Sequence, residues 1–308
     1  MGKRRTSWGL GTAQLGMNDG ILNQVGKPSE TIALEILRQA GTLGLDCLDT
    51  ASGHVDSEEL IGRFNQELVA SGESLPQIVS KLPSLQARHI DKSILLQVVR
   101  DSVTASLARL HRTAIDVYLL HDPSDLRSFG GRVITALQQV KQEGLVKRIG
   151  VSVYTRREAE FALGWGCLDA IQIPINIMDH RFLQGDLLKK LAAEMDVYAR
   201  SIFLQGLVLM APEEVPSHLA IAREPLAKFR RLCKELNRTP CDVAISFVRD
   251  LEGIHRIIIR CESPAQLQQM MTFAHSPKLS PDVMTRIRCL FRNLQMGTFV
   301  TNRIPKET

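Results

Sequence analysis

Eight short apolar runs, separated by stretches of helical periodicity, set the strongest limit on what this chain can become. The runs fall at 8–11, 47–50, 78–81, 116–121, 148–152, 170–174, 196–201 and 257–260. Helical stretches lie between them at 30–42, 57–70, 91–110, 131–143, 156–163, 182–194, 225–236 with 240–250, and 264–273. In 91–110, Ile94, Leu95, Val98, Val99, Val103, Leu107 and Leu110 form a stripe that buries one helix face. Such alternation builds a parallel sheet whose strands are joined by crossover helices. Punctuation agrees: Gly144 follows a helix ending in Lys141 and Glu143, and Pro225, Pro240 and Pro264 stand at helix starts, where a missing N–H is harmless.

No Gly/Ser/Pro linker or shift in composition divides the chain, and no G-x-G-x-x-G follows the first run, so the usual signature of a dinucleotide-binding open sheet is absent. Eight units in roughly 275 residues, each crossover short enough to reach its neighbour, predict an α/β fold of the closed (β/α)8 TIM-barrel type over 1–275. Residues 276–308, with a helix expected at 281–294, are read as a C-terminal extension packing on the barrel.

At 308 residues and 44% hydrophobic, the chain has ample material for one such core. Its 38 basic and 33 acidic residues are scattered, so the net charge of +5 reads as solvated surface and no nucleic-acid partner is expected. The six cysteines show no paired short spacing of the zinc or redox kind, which suits a reducing, cytoplasmic compartment and predicts no metal site. Lys3, Arg4 and Arg5 precede no apolar signal segment, and no run reaches about 18 apolar residues, so no membrane association is expected. Gly2 with Thr6 meets the loose myristoylation pattern, a short match read as accidental.

In a barrel of this kind the C-terminal strand ends converge on one mouth. The second run delivers Asp49, the third Lys81, the fourth His121, the fifth Ser152, the sixth Gln172, and the seventh Arg200 with Ser201. Each has a plain structural explanation when taken singly: Asp49 as a loop cap, Lys81 as a solvated strand end, His121 as a partner for loop backbone. Together they offer a carboxylate, an ammonium and an imidazole around one pocket, the means to stabilise charge on a carbonyl oxygen and protonate it. The segment LDTASGHVDSEELIG at 48–62 adds His54 in the loop between a strand and a helix that begins at Asp56 or Ser57, with Glu58 and Glu59 in its first turn.

The chain resembles the aldo-keto reductase family through LGLGTAQLG, GLDCLDTA with SEELIG, VSKLP, IDVYLLHDP, IGVSVYT, IQIPINIMDHR, ARSIFLQGLVL and IIIRCESPAQL, in that order. The phrases GLGTAQLGMNDGILNQVGKPS and ARSIFLQG are similar to bacterial members associated with surface-polysaccharide or nucleotide-sugar metabolism. The resemblance implies a barrel that binds NADPH, with NADH as the alternative, and interconverts a small-molecule carbonyl and an alcohol. It assigns Asp49, Lys81 and His121 to three places of the family's Asp, Tyr, Lys, His tetrad. Lys81 paired with Asp49 would lower the pKa of the proton donor, and His121 would orient the carbonyl. For the cofactor it implies Gly11, Thr12, Ser152, Gln172, Arg200, Ser201, Leu204, Gly206, Arg260 and Gln266. Arg200 would stack through its planar guanidinium beside the nicotinamide, and Arg260 would clamp a 2'-phosphate.

The departures matter as much. Where the family carries Tyr-Gly, this chain carries His54 and Val55; its usual Asn is Val153; and on the helix that follows the last strand its Arg, Glu and Asn are Gln266, Gln269 and Met270. An imidazolium is a good donor near its unperturbed pKa of about 6.5, but Lys81 would oppose that charge. The expectation is therefore an NADP(H)-dependent carbonyl reductase with an atypical acid. The alternatives are an inactive barrel that binds the cofactor as a sensor or partner protein, and a lyase that uses Lys81 as a Schiff-base amine.

Overall fold

The computed structural model describes residues 6–18, 26–86, 90–292 and 294. Gly2 of the myristoylation pattern, part of the 17–27 loop and nearly all of the tail beyond 292 lie outside them. Eight strands, β1 (Ser7–Gly11), β2 (Cys47–Asp49), β3 (Gln77–Leu82), β4 (Val117–Leu120), β5 (Ile149–Ser152), β6 (Ala170–Pro174), β7 (Asp196–Arg200) and β8 (Arg256–Ile259), pair in sequence order. Every pairing is parallel, and β8 returns to β1 to close the barrel. The predicted (β/α)8 barrel is the fold observed.

The helices are α1 (Ala13–Gly16), α2 (Glu30–Thr42), α3 (Ser57–Ala70), α4 (Leu95–Leu110), α5 (Arg132–Gln142), α6 (Arg156–Leu163), α7 (Leu187–Glu194), α8 (Arg223–Glu235), α9 (Pro240–Arg249), α10 (Pro264–Ala274) and α11 (Pro281–Phe291). Two start later than periodicity suggests. Ser93 donates from its backbone N–H and its hydroxyl to Asp91 Oδ1, a local turn that competes with helix, so α4 begins at Leu95. Gly185 takes a positive φ of 61°, which breaks the stretch 182–194 into a 3₁₀ turn and α7. In α11, Ile287 and Phe291 are buried, and the Phe291 ring meets His180 edge-on at 6.4 Å. Among the described residues no helix is long and apolar enough to cross a membrane.

Two apolar cores result. The larger lies between the strands and their helices; the smaller, made of Cys47, Val79, Val117, Leu119, Ala170, Tyr198 and Ile258, fills the barrel interior. Because side chains alternate faces along a strand, the residue two places beyond each interior residue points into the same lumen, one layer higher. This register positions the site.

Candidate active site

Counting two residues on from the interior core gives Asp49 from Cys47, Lys81 from Val79, His121 from Leu119, Gln172 from Ala170, Arg200 from Tyr198 and Arg260 from Ile258. The register staggers neighbouring strands by two places: Asp49 pairs with Val79, two residues before Lys81; Lys81 pairs with Leu119, two before His121; and Gln172 pairs with Tyr198, two before Arg200. An apolar stack thus ends in one polar layer.

Asp49 is the hub of that layer. Lys81 Nζ donates to Asp49 Oδ1 at 2.9 Å and to the Thr50 carbonyl at 2.7 Å, and Gln172 Nε2 reaches the same Asp49 oxygen at 2.8 Å. Ser152 Oγ donates to Gln172 Oε1 at 3.4 Å, which orients the amide. Asp49 and Lys81 are 5% and 3% exposed, so each charge survives in the interior through its partners. Burial is the main influence drawing the Lys81 pKa below the usual ammonium range, with the carboxylate of Asp49 acting against it.

The loop carrying His54 is fastened from below. Ser57 Oγ lies 2.7 Å from Thr12 Oγ1 and 3.0 Å from Thr50 Oγ1 and donates to the Thr12 carbonyl, while Thr12 Oγ1 donates to the Asp49 carbonyl at 3.1 Å. Glu58, expected only as a dipole partner, is buried: it accepts Ser80 Oγ at 2.5 Å and pairs with Arg109 at 2.7 Å. Above it the loop is tight enough that Val55 takes a φ of 47°, a left-handed conformation foreign to β-branched residues. Gly16 of α1 packs so closely that a Cβ there would fall 2.0 Å from the His54 carbonyl oxygen.

His54 and His121 share the cavity floor, ring centroids 6.2 Å apart and nearly perpendicular. Nδ1 of His54 is buried with no hydrogen-bond partner among the described residues. Burial first, then the positive charges of Lys81 and Arg260, push the His54 pKa down to about 2. His121 is lowered to about 4 by burial and by Lys81 and Arg200, with Asp49 and Asp122 opposing. Both imidazoles are therefore neutral around pH 7.

Above this floor opens a cavity of about 600 Å³. Of the residues singled out from sequence, Asp49, His54, Lys81, His121, Ser152, Gln172, Arg200, Ser201, Gly206, Arg260 and Gln266 line it. Gly11, Thr12 and Leu204 do not: Thr12 is spent on the Ser57 knot, Leu204 is buried in the core, and Gly11 packs beneath Arg260. Sequence reasoning overlooked Tyr154 and Arg230. Tyr154 follows Ser152 by two places, so strand alternation pointed to it; Arg230 comes from α8, and no local signal marked it. Arg200, expected to stack on the cofactor, lays its guanidinium over Tyr154 at 4.4 Å and donates to the Val153 carbonyl at 3.1 Å. The loop after it is bent through positive φ values at Ser201, Leu204, Gln205 and Gly206. Among the described residues no cluster of His, Cys, Asp or Glu is able to hold a metal ion.

Comparison with known proteins fits this geometry. Residues 8–291 match the model of the Aldo/keto reductase family. The chain is 28% identical over 192 residues to the NADH-specific methylglyoxal reductase of Escherichia coli, spanning 58% of each chain. It is 31% identical over 148 residues to D-arabinose 1-dehydrogenase of Saccharomyces cerevisiae, spanning 45% of this chain and 42% of that one. The chain thus matches little more than half of the one relative's length and less than half of the other's. Among solved structures, the holo form of an aldo-keto reductase from Bacillus halodurans superposes with a TM-score of 0.73 at 19% identity, covering 92% of this chain and 91% of that one. With the family pattern running from the first strand to the last described helix, the chain belongs to the aldo/keto reductase family.

Proposed function

We propose that this barrel reduces the carbonyl of a small aldehyde or ketone, sugar-derived carbonyls included, using NADPH or NADH, with His54 standing where the family's acid stands. The observation that carries the reading is the buried Asp49–Lys81–Gln172 constellation opening beneath two facing imidazoles on a single cavity floor. The names of the two relatives, a methylglyoxal reductase and a D-arabinose dehydrogenase, support carbonyl and sugar-type chemistry.

The cavity fits a nicotinamide dinucleotide by its donor set. Its wall carries Lys81, Arg200, Arg230 and Arg260 against Asp49 and Glu262, an excess of positive charge suited to a diphosphate, and Arg230 Nε is buried there without a partner among the described residues. Arg230, Ser201, Arg260 and Gln266 would hold the anionic and adenosine portions, and Ser152 and Gln172 the carboxamide. When bound, the reduced nicotinamide supplies a hydride to the carbonyl carbon. Arg260 favours NADPH by offering a guanidinium to a 2'-phosphate, while Glu262 on the same wall opposes that charge and keeps NADH as the alternative.

His121 and His54 would flank the carbonyl oxygen. Lys81, held by two oxygen acceptors, serves as a fixed positive charge rather than a Schiff-base amine. The proton delivered to the oxygen comes from the imidazolium form of His54, which is scarce at neutral pH because Lys81 and burial oppose it. This reading predicts slow turnover. General acid catalysis is typically worth about 10²- to 10⁴-fold, so a tyrosine at this place should recover much of that.

The second reading, a cofactor-binding barrel without catalysis, is favoured by the same neutral His54, whose Nδ1 has no hydrogen-bond partner among the described residues. Fluorescence titration with NADPH and NADH, followed by turnover of an aldehyde panel by wild type and His54→Tyr, separates the readings. Slow reduction by wild type that rises in the variant supports the first. An inert wild type with an active variant supports the second, and absence of cofactor binding sinks both.

A further inference from the structure

Among the described residues, the buried and half-buried arginines follow one rule with two exceptions. Among the described residues, every half-buried or buried arginine other than Arg200 and Arg230 has a carboxylate within ion-pair distance. Arg181 with Asp179 at 2.5 Å and Arg109 with Glu58 at 2.7 Å are typical. The rule has a physical basis, since a guanidinium withdrawn from water without a counter-charge is costly. Both exceptions line the same cavity.

They stand at different places in it. Arg230, on α8, donates to the Leu209 carbonyl and shares its stretch of wall with Thr239 and Pro240, the start of α9. Arg200, at the end of β7, lies in the polar layer with Asp49, Lys81 and His121, and its charge is among those that lower the His121 pKa. Its neutral contacts are the Val153 carbonyl, Ser201 Oγ at 3.2 Å and the Tyr154 ring. A guanidinium has five N–H donors, and these contacts use two. With one face on Tyr154, the opposite face and the unused part of the in-plane N–H edge remain, and that edge has the geometry that grips an oxyanion.

We infer that Arg200 is a substrate-recognition residue and that the physiological substrate is a carbonyl compound bearing an acidic group, a carboxylate or a phosphate, which pairs with this guanidinium. The inference rests on the reductase reading for the carbonyl and on the unpaired Arg200 for the acid. Arg230 and Arg260 are left for the anions of the cofactor. A bound oxyanion also offsets the Arg200 charge felt at His121, so an acidic substrate reduces the positive excess that a neutral one leaves in place.

The test uses the full chain and matched pairs: 4-carboxybenzaldehyde against benzaldehyde, and glyceraldehyde 3-phosphate against glyceraldehyde, each with saturating cofactor. The expected result is a kcat/KM ratio of acid to neutral partner above about tenfold in at least one pair, the pair naming carboxylate or phosphate. In Arg200→Gln that ratio should collapse toward one, and Arg200→Lys should restore part of it through its point charge. A wild-type ratio near or below one in both pairs, or a ratio that Arg200→Gln leaves unmoved, overturns the inference. Calorimetric binding of benzoate and inorganic phosphate to the cofactor complex is the second measurement. If no aldehyde is turned over, Arg200-dependent anion binding upholds the acid site while the reductase reading fails; no anion binding then overturns the inference as well.

Discussion

His54 and His121 meet edge to face across the cavity floor with ring centroids 6.2 Å apart, and both imidazoles are in the neutral form near pH 7. If His54 is the acid, the pH dependence of turnover is fixed in sign. A donor with a pKa of about 2 is protonated to only about one part in 10⁵ at pH 7, and that fraction grows tenfold for each unit the pH falls. The kcat/KM for aldehyde reduction should therefore climb steadily from pH 8 to pH 5.5, with no inflection near 6.5. A plateau across this range would assign the proton to another group.

Val55 tells how the His54 loop is held. Its φ of 47° with a side chain 64% exposed means that strain is borne here without compensating burial. Left-handed geometry costs an L-residue about 1–2 kcal/mol, and glycine gives back about 0.5–1 kcal/mol through its freer unfolded chain. Val55→Gly should then stabilise the protein by up to about 1 kcal/mol in urea denaturation. A loss of stability would mean that the valine side chain makes contacts worth more than the strain.

The Asp49–Lys81 pair calls for a different signature. Removing either partner strands the other charge in the interior: Asp49→Leu leaves the Lys81 ammonium with only the Thr50 carbonyl, and Lys81→Met leaves Asp49 with Gln172. Each single change should cost about 3–5 kcal/mol, and the double change less than either. Denaturant midpoints for the four proteins measure this. Additive losses would show that the two charges are not coupled.

Much of this architecture was legible in the sequence, because the signals are local. Apolar runs and proline or glycine punctuation placed each strand within about two residues, and strand-end position put Asp49, Lys81, His121 and Gln172 in one layer. What escaped is set by packing across the fold. Nothing near Arg230 reveals that α8 brings it to the cavity, nothing near Thr12 that it is consumed by Ser57, and nothing near Arg200 that Tyr154 takes its face. The neutrality of His54 is likewise collective, since burial and the positive charges of Lys81 and Arg260, from two separate strand ends, impose it.

Gly16 and Gly41 offer a paired test of how rigidly the His54 loop is seated. Gly41 lies exposed in α2, and a Cβ added there would meet nothing within 4 Å, so Gly41→Ala should gain about 0.5–1 kcal/mol from helix propensity alone. At Gly16 the same methyl would meet the His54 carbonyl oxygen at 2.0 Å and the Ser57 backbone nitrogen at 2.8 Å, both backbone atoms that no rotamer change relieves. Gly16→Ala should therefore cost about 1–3 kcal/mol and push the His54 loop away from the floor. Thermal unfolding measures the cost, and the displacement should appear as a fall in kcat for His54→Tyr when Gly16→Ala is added. If Gly16→Ala is as benign as Gly41→Ala, the loop yields easily, and the positioning of His54 does not depend on the contact with α1.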